Sequence, residues 1–535
     1  MNIKDIIKKQ QMLEGNNQSW RSYFQDLAKF CLPRKAFITQ KKTKGQSLAL
    51  KDIFDSTAIR ALKIMAAGFH SNLTNPSSKW FGMQAQDLNL MNDHANKIWF
   101  KNTEDKMFAA LNATNFDTTL QEFYIDAGCF GTGVVMTEED SKDKIRYSLI
   151  PIEQLSLEED TQGRVNRVYR KFQYTAQQAF DLWGKNAGEA VAKAMAKEED
   201  QQKMIDFVHY VGPRDVRQAG KKDNLNMDFE SIWGEISKQE KIAEGGFVEM
   251  PYAAGRFWKD STDVFGYSPA MDVLPDTKML NQIKKTMIRA AQKIVDPPVS
   301  LPSKAYLMPL NMNPAAVNYR DPKRDGSGIE PIMTKGNVPL GFELSERVAE
   351  DIEKGFFVPL FQAFSQLNKQ MTVPEVQRRI AENMVLLGPV IGRFTQELLE
   401  PILIRTFNIL NRNGEISPPP ESLAGKGYEI TYLGELAKAQ RSSEITNIQR
   451  FIGDVGSIAQ AVPEALDNID IDKTIRIIGD VRGINPEILR TTDQVKFTRE
   501  TRAKAQQDQM MLDQVGQGAK VAKDAASADK DMRTG

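Results

Sequence analysis

Apolar residues recur at three- and four-residue steps through the first part of the chain, the spacing that gathers them on one face of a helix. In "WRSYFQDLAKFCLP", Trp20, Tyr23, Phe24, Leu27 and Cys31 form such a face, which is expected to pack inward, and Pro33 ends it. "DSTAIRALKIMAAGFHSNLTNPSSKWF" repeats the device. There Asp55 or Ser56 is the candidate N-cap, Ile59, Leu62, Met65 and Phe69 share a face, and Asn75-Pro76 marks a turn before Trp80. From about 130 to 260 the period falls to two. "GVVMTEE", "KIRYSLIP", "RVNRVYRKFQY" and "IDFVHYVGP" read as short strands around one helical stretch, "AQQAFDLWGKNAGEAVAKAMAKE". This succession predicts an α+β fold that is predominantly helical.

Helical spacing returns at 276 to 295, where Leu280, Ile283, Met287 and Ala291 oppose Lys284, Lys285, Arg289 and Lys293, until "DPP" stops the helix. Eight of the 24 prolines fall between 297 and 340, together with "KRDGSG", so this segment is expected to be extended strands and turns. Over 345 to 364, Val348, Ile352, Phe356, Leu360 and Phe364 follow at steps of four, with a bend expected at Pro359. Thr372, Pro374 and Glu375 form a helix start signal, because a Thr cap and a Glu three residues on satisfy orphan N–H groups reciprocally. The helix so opened runs to Asn413-Gly414, about 40 residues or about 60 Å. Gly388-Pro389, Gly392 and Pro401 are its expected kinks. After the prolines at 418 to 420 come a strand-like "YEITYL" and short helices over 438 to 492. The Gln- and Ala-rich tail from 493 is expected to be disordered near its end.

Composition narrows the partners little. Lys+Arg and Asp+Glu are both 70 in 535 residues, and a chain of that length is expected to form about three or four units. Cys31 and Cys129 lie far apart in apolar surroundings, which points to buried thiols in a reducing compartment. Neither a cleavable leader nor a run of 18 apolar residues is present, so neither secretion nor membrane spanning is expected. His70, His94 and His209 are too scattered for a zinc site or a triad. No phosphate-binding loop occurs, so no nucleotide-driven motor is expected, nor any cofactor. "EED" at 138 to 140 and at 158 to 160 reads as solvated turns. "CFGTGVV", with Gly131 and Gly133, lacks the third glycine of a dinucleotide site and reads as a tight passage from helix to strand.

Several segments, in order, resemble the portal (head-to-tail connector) proteins of short-tailed double-stranded DNA bacteriophages. "DSTAIRALKIMAAGFHSNLTNPSSKWF" is similar to the family's Asp-x-Thr, Ala-rich helix, Leu-Thr-x-Pro turn and Trp-Phe. "DAGCFGTGVVMTE" resembles its Phe-Gly-Thr-Gly passage, and "FGYSPAMDVLPDTKMLNQ" its Gly-x-x-Pro turn and Leu-Pro-Asp helix entry. "KIVDPP" resembles the exit of that helix, and "MTVPEVQRRIAENMVLLGPVIGRFTQELLEPIL" the Glu-rich long helix. Phe265 stands where the family more often has Tyr, and Pro374 where it has a small residue or Thr.

The resemblance implies a ring of twelve subunits around a DNA channel at one capsid vertex of the virion, built in the host cytoplasm. Its regions would be a wing (1 to 275), a first stem helix (276 to 296), a clip (297 to 344) and a second stem helix (345 to 364). A tunnel loop (365 to 371), a long wing helix with return strand (372 to 437), a crown (438 to 492) and the tail (493 to 535) would follow. Ser365, Gln366, Asn368, Lys369 and Gln370 would then face DNA that slides rather than sticks, which suits the neutral total charge, since each neutralised phosphate adds counterion-release affinity. Implied partners are double-stranded DNA, the terminase motor, the major capsid protein with its scaffold, and a tail adaptor. The basic face of Lys284, Lys285, Arg289 and Lys293 has two possible destinations: the lumen, or Glu346, Glu350, Asp351 and Glu353 on a neighbour's second stem helix. The second is favoured, because the chain supplies the matching acidic helix. The rival readings are a packaging nuclease, disfavoured by the lack of clustered His, Asp and Glu, and an internal scaffolding or core protein, which should be more uniformly helical.

Overall fold

The computed structural model describes residues 1–39, 52–140, 144–218, 220–221, 223–302, 311, 313–320, 330–331, 338–365, 387–432, 448–459, 464, 469–481, 488–490, 494–507 and 509. The chain divides into two compact units rather than three or four. The first comprises Met1–Phe81, Lys106–Ile416 and Tyr432–Leu436, because the N-terminal helices, the β-rich region and the later helices share one contact-dense body.

Helix α1 (Ile3–Asn16) starts where the Asn2 side chain accepts the Lys4 N–H, and α2 (Gln18–Cys31) follows Asn17. Phe24, Leu27 and Cys31 are buried as the spacing requires, while Tyr23 lies at the surface. Ser56 occupies the N-cap position of α3 (Thr57–Leu73), but its side chain makes no cap bond. The Asp55 carboxylate takes the Thr57 N–H instead, at 2.8 Å. Strand β1 (Phe81–Ala85), α4 (His94–Ala113) and α5 (Phe116–Phe130) come next, and α5 closes on Gly131 in the left-handed region. A side chain there would sit 2.0 Å from the Gly266 carbonyl oxygen, so only glycine lets the chain turn directly into β2 (Thr132–Asp140). This is the helix-to-strand passage expected from "CFGTGVV".

Strand β2 pairs antiparallel with β3 (Lys144–Ile150) and, on its other side, with β9 (Tyr252–Arg256). A second, five-stranded sheet contains β4 (Leu155–Glu159), β5 (Val165–Thr175), β6 (Met204–Pro213), β7 (Phe229–Glu235) and β8 (Glu240–Phe247) in that order. Helices α6 (Ala176–Trp183) and α7 (Glu189–Met195) interrupt it in sequence. Successive side chains of a strand point to opposite faces. Val208 and Tyr210 therefore meet Ile3, Ile6 and Ile7 of α1 on one side, while Phe207 and Phe172 meet Ala179 and Val191 of α6 and α7 on the other. His209 is fully buried, stacked on Trp233 with centroids 3.7 Å apart. Its Nδ1 lies 2.7 Å from the Tyr252 hydroxyl and its Nε2 2.9 Å from the Ser231 hydroxyl, which ties the two sheets together.

The chain continues through α8 (Pro269–Asp272) and α9 (Leu274–Val295). In the proline-rich segment, β10 (Val299–Pro302) runs parallel to β11 (Val317–Arg320) and antiparallel to β12 (Glu330–Pro331). Helices α10 (Val338–Gly355) and α11 (Val358–Ser365) follow. The bend between them is at Phe357, two residues before the expected Pro359: Phe357 has φ +58°, left-handed. That conformation costs a side-chain-bearing residue about 1–2 kcal/mol. An unbroken helix would put Pro359 in its interior, without an N–H for the Gly355 carbonyl and with its ring against it, at about 3 kcal/mol. Bending first places Pro359 in the opening turn of α11, where the missing N–H has no partner to lose.

The helix start signal at Thr372, Pro374 and Glu375 lies outside the described residues. Residues 387–394 are helical and pass into a π-turn, Thr395–Leu399, before α12 (Glu400–Arg412). Pro401 cannot donate to the Glu397 carbonyl, and the wider turn makes room for its ring. The helix ends at Asn413, followed by left-handed Gly414, as expected. The second unit, Gly82–Asp105, Ser417–Thr431 and Ala437–Gly535, holds most of a two-stranded sheet of β1 with β13 (Tyr428–Tyr432). It also holds α13 (Ile471–Val481) and helical stretches at 448–459 and 494–507. Arg499 grips Asp472 through two hydrogen bonds of 2.7 Å. No helix among the described residues is long and apolar enough to cross a membrane.

Candidate functional site

Helices α9 and α10 form an antiparallel hairpin. Pro275 and Asp276 open α9, where a missing N–H is harmless and an acid complements the helix dipole, and Lys293 lies in its last turn. A Cβ on Gly355 would fall 2.2 Å from Val273, and one on Gly341 would fall 3.4 Å from Met287. The start of α9 therefore lies against the end of α10, and its later turns lie against the beginning of α10. At the root, Leu274, Thr277 and Leu280 are buried, as are Val348 and Ile352. Toward the far end burial fails although the apolar residues continue: Ile294 is 64% exposed, Val295 85% and Phe342 54%.

The charged residues follow the same gradient. Lys284, Lys285 and Lys293 are half-buried and Arg289 is exposed. Lys285 is already engaged within the chain, its Nζ 5.4 Å from the Phe54 ring centroid. Asn281 holds the same strap, accepting the Phe54 N–H at 2.7 Å and donating to the Asp52 carbonyl at 2.8 Å. On α10, Glu346, Glu350 and Asp351 are exposed and Glu353 half-buried. Lys354 lies 3.1 Å from Asp351 and 4.0 Å from Glu350 on the same helix. Among the described residues no ion pair joins the basic set to the acidic set. Ser365 is the last residue of α11, and Gln366, Asn368, Lys369 and Gln370 lie outside the described residues.

Two charge networks escaped the sequence reading, and both correct it. The "EED" stretches are not solvated turns: Glu138 to Asp140 end β2, and Glu158 and Glu159 end β4. Only Asp160 serves a turn, accepting the N–H groups of Gln162 and Arg164. Glu159 binds Arg256, whose side chain is 2% exposed, and Lys259 at 3.1 Å. The other face of the Arg256 guanidinium meets Glu397 of the π-turn, with Nε–Oε2 2.9 Å and Nη2–Oε1 2.8 Å. Burial opposes the charge on Arg256, but Glu397 and Glu159 outweigh it and hold its pKa above the ordinary value.

The second network lines a cleft of about 270 Å³ with Glu138, Glu139, Phe247, Arg405 and Arg412 among its walls. Arg405 donates to the Thr137 carbonyl at 2.8 Å and lies 3.2 Å from Glu249. Arg412 is shared between Glu139 at 2.9 Å and Glu249 at 3.1 Å. Burial raises the Glu138 pKa against the pull of Arg170, Arg405 and Arg146. The sequence signal for both networks was present but uninterpretable: acids at strand ends, with partners more than ninety residues away. Among the described residues, no group of three or more His, Cys, Asp or Glu is arranged to hold a metal ion.

The chain matches the family model for bacteriophage head to tail connecting protein over residues 3–489. It is 29% identical over 535 residues to the probable portal protein of Bordetella phage BPP-1, covering 98% of this chain and 96% of that one. It is likewise 29% identical over 539 residues to the portal protein of Salmonella phage epsilon15, covering 99% and 97%. A looser likeness links it to a chain from the virion of a native gene transfer agent particle, at a TM-score of 0.35 and 9% identity over 75% of this chain and 87% of that one.

Proposed function

This chain belongs to the bacteriophage head-to-tail connecting proteins, and on that premise we propose that its copies close into a ring of twelve around a channel for double-stranded DNA. It is a portal protein, a structural connector and not an enzyme. The observation that carries the ring reading is the unfinished surface of the α9–α10 hairpin. Ile294, Val295 and Phe342 stay in water, and among the described residues the basic and acidic faces make no mutual ion pair. A neighbouring copy would cover the first and answer the second.

In this reading α9 is the first stem helix and the stretch 345 to 364, running from α10 into α11, is the second, with the clip at 297 to 344 between them. The segment of Ser365, Gln366, Asn368, Lys369 and Gln370 reaches the duplex as the tunnel loop. The wing (1 to 275 with 372 to 437) and the crown (438 to 492) complete the subunit, and the ring meets the major capsid protein and scaffold, the terminase and later the tail adaptor. Four of the five loop side chains are uncharged and Lys369 is the one cation among them, which favours sliding, since extensive phosphate neutralisation at every subunit would hold the DNA.

Negative-stain microscopy of the purified full chain tests the assembly: rings with a central hole are expected, and monodisperse monomers at all concentrations would refute it. Deleting residues 365 to 370 is expected to leave rings intact while impairing packaging or retention of DNA. Loss of the rings on that deletion would remove the loop from the lumen.

A further inference from the structure

We infer that the cleft between the ends of β2 and β8 and the helix α12 is a docking site for a polypeptide segment that presents an arginine or lysine side chain beside an apolar one. Strand β2 contributes Glu138 and Glu139, the end of β8 with the residue after it contributes Phe247 and Val248, and α12 contributes Arg405 and Arg412. A side chain on Gly246 would fall 2.4 Å from the Asn224 carbonyl oxygen. That glycine lets the loop carrying Asn224 and Met227 close against β8 and complete the wall.

The charges around the cleft do not balance. Arg405 is already engaged: its Nε donates to the Thr137 carbonyl at 2.8 Å, and its Nη1 lies 3.2 Å from both the carbonyl and the carboxylate of Glu249. Its guanidinium also lies 4.9 Å from the Phe247 ring centroid. Arg412 is divided between Glu139 and Glu249. Glu138 is the carboxylate left over, since no described residue gives it an ion pair or a hydrogen bond. Arg146 stands opposite it in the β2–β3 ladder but remains exposed. Burial disfavours the Glu138 charge, and the pull of Arg170, Arg405 and Arg146 offsets that only in part. A further cation in hydrogen-bond contact would complete the set. An anion, by contrast, would have to displace Glu249 or Glu139 from an arginine that already holds it.

The rim indicates what carries the cation. Val248 is 46% exposed, and Leu225, beside Asn224 of the wall, is 51% exposed. A small free cation would leave both in water, whereas an apolar side chain next to the basic one would cover them. The aliphatic stem of an arginine or lysine packs on apolar surface while its head is paired, and Met227 and Phe247 supply that surface. Nothing in this inference depends on the channel reading.

Isothermal titration of the full chain at matched ionic strength tests it, with the blocked tripeptides Ac-Leu-Arg-Leu-NH2, Ac-Leu-Gln-Leu-NH2 and Ac-Leu-Glu-Leu-NH2 and with ethylguanidinium as probes. The arginine peptide is expected to bind about tenfold more tightly than each of the others. Glu138→Gln keeps the shape of the side chain and is expected to weaken the arginine peptide about tenfold while leaving the glutamine peptide unchanged. Val248→Ser acts at the exposed rim and should weaken the arginine peptide about threefold without affecting ethylguanidinium. The two variants act at separate places, so misfolding of one leaves the other as the test. Ethylguanidinium binding as tightly as the arginine peptide would make the cleft a small-cation pocket and overturn the polypeptide occupant. Equal binding of the three peptides, preference for the glutamate peptide, or no binding of any probe would overturn the inference outright.

Discussion

Arg256 and Arg289 both lie on regular elements of the first unit, yet their surroundings differ throughout. Arg256, at the end of β9, is enclosed and shared by Glu397, Glu159 and the Gly163 carbonyl. Arg289, on the outer half of α9, is exposed, beside apolar neighbours that are themselves in water. Among the described residues, Arg256 has its charge paired within the chain, whereas the outer hairpin leaves Arg289 without an ion pair and Ile294 and Val295 exposed. Arg256 is therefore a stability element, whereas Arg289 is available to another molecule.

The sharpest way to break that comparison is to apply the same change to both. Arg256→Met would leave two enclosed carboxylates without their shared guanidinium. Breaking a buried pair on one side typically costs about 3–5 kcal/mol, read as a shift in the urea midpoint. Lys259 and Arg393 stay near Glu159 and Glu397 and should keep the loss toward the lower end. Arg289→Met should change the stability of the separate chain by less than about 0.5 kcal/mol. Equal losses would mean that the hairpin is as self-contained as the sheets.

A second, smaller effect sharpens the sheet side alone. Burial, with Arg170 adding to it, holds His209 neutral and its pKa well below 6.5. The unfolded chain takes up a proton below about pH 6.5 and the folded chain does not, so this contribution is full above that pH and is lost as pH falls. One proton corresponds to about 1.4 kcal/mol per pH unit, hence about 2 kcal/mol between pH 6.5 and 5. His209→Gln should flatten that part of the unfolding free energy against pH. An unchanged slope would show that the imidazole protonates in place.

The two regions were also unequally legible in the sequence. Local periodicity was enough for the α2 and α3 faces, the alternating strands and the Gly131 passage, because each depends on residues within a few positions of one another. The charge networks depend on partners such as Glu159, Arg256 and Glu397, which only the folded topology brings together. The acids at 138 to 140 and at 158 and 159 therefore read as solvated turns when they end strands. Local sterics misled in a different way at Pro359 and Pro401. A proline signals that a helix must yield, but the yielding falls on its N-terminal side, at Phe357 and in the Thr395–Leu399 turn. On the hairpin, sequence gave the polarity of the faces, while the failure of burial along α9 needed the packing of α10 to become visible.

The smallest expected effect per residue is also the one that decides what the hairpin charges meet. Lys284→Gln with Arg289→Gln removes two cations from the outer half of α9 and spares Lys285, which serves Phe54 within the chain. Exposed pairs are worth only about 0–1 kcal/mol each, so the unfolding of the separate chain should hardly change. A ring repeats each pair at every interface, and an interface held by exposed charges weakens as salt shortens the screening length. If these residues answer Glu346, Glu350, Asp351 or Glu353 of a neighbour, the double variant should assemble less completely than the unsubstituted chain at low salt. The two should converge at high salt, where the unsubstituted pairs are themselves screened. Sedimentation across a salt series reads this directly, with DNA retention in filled heads measured alongside. Unchanged assembly together with altered retention would move Lys284 and Arg289 to the lumen, since a cation facing phosphate affects the passage of DNA and leaves the contact between copies alone.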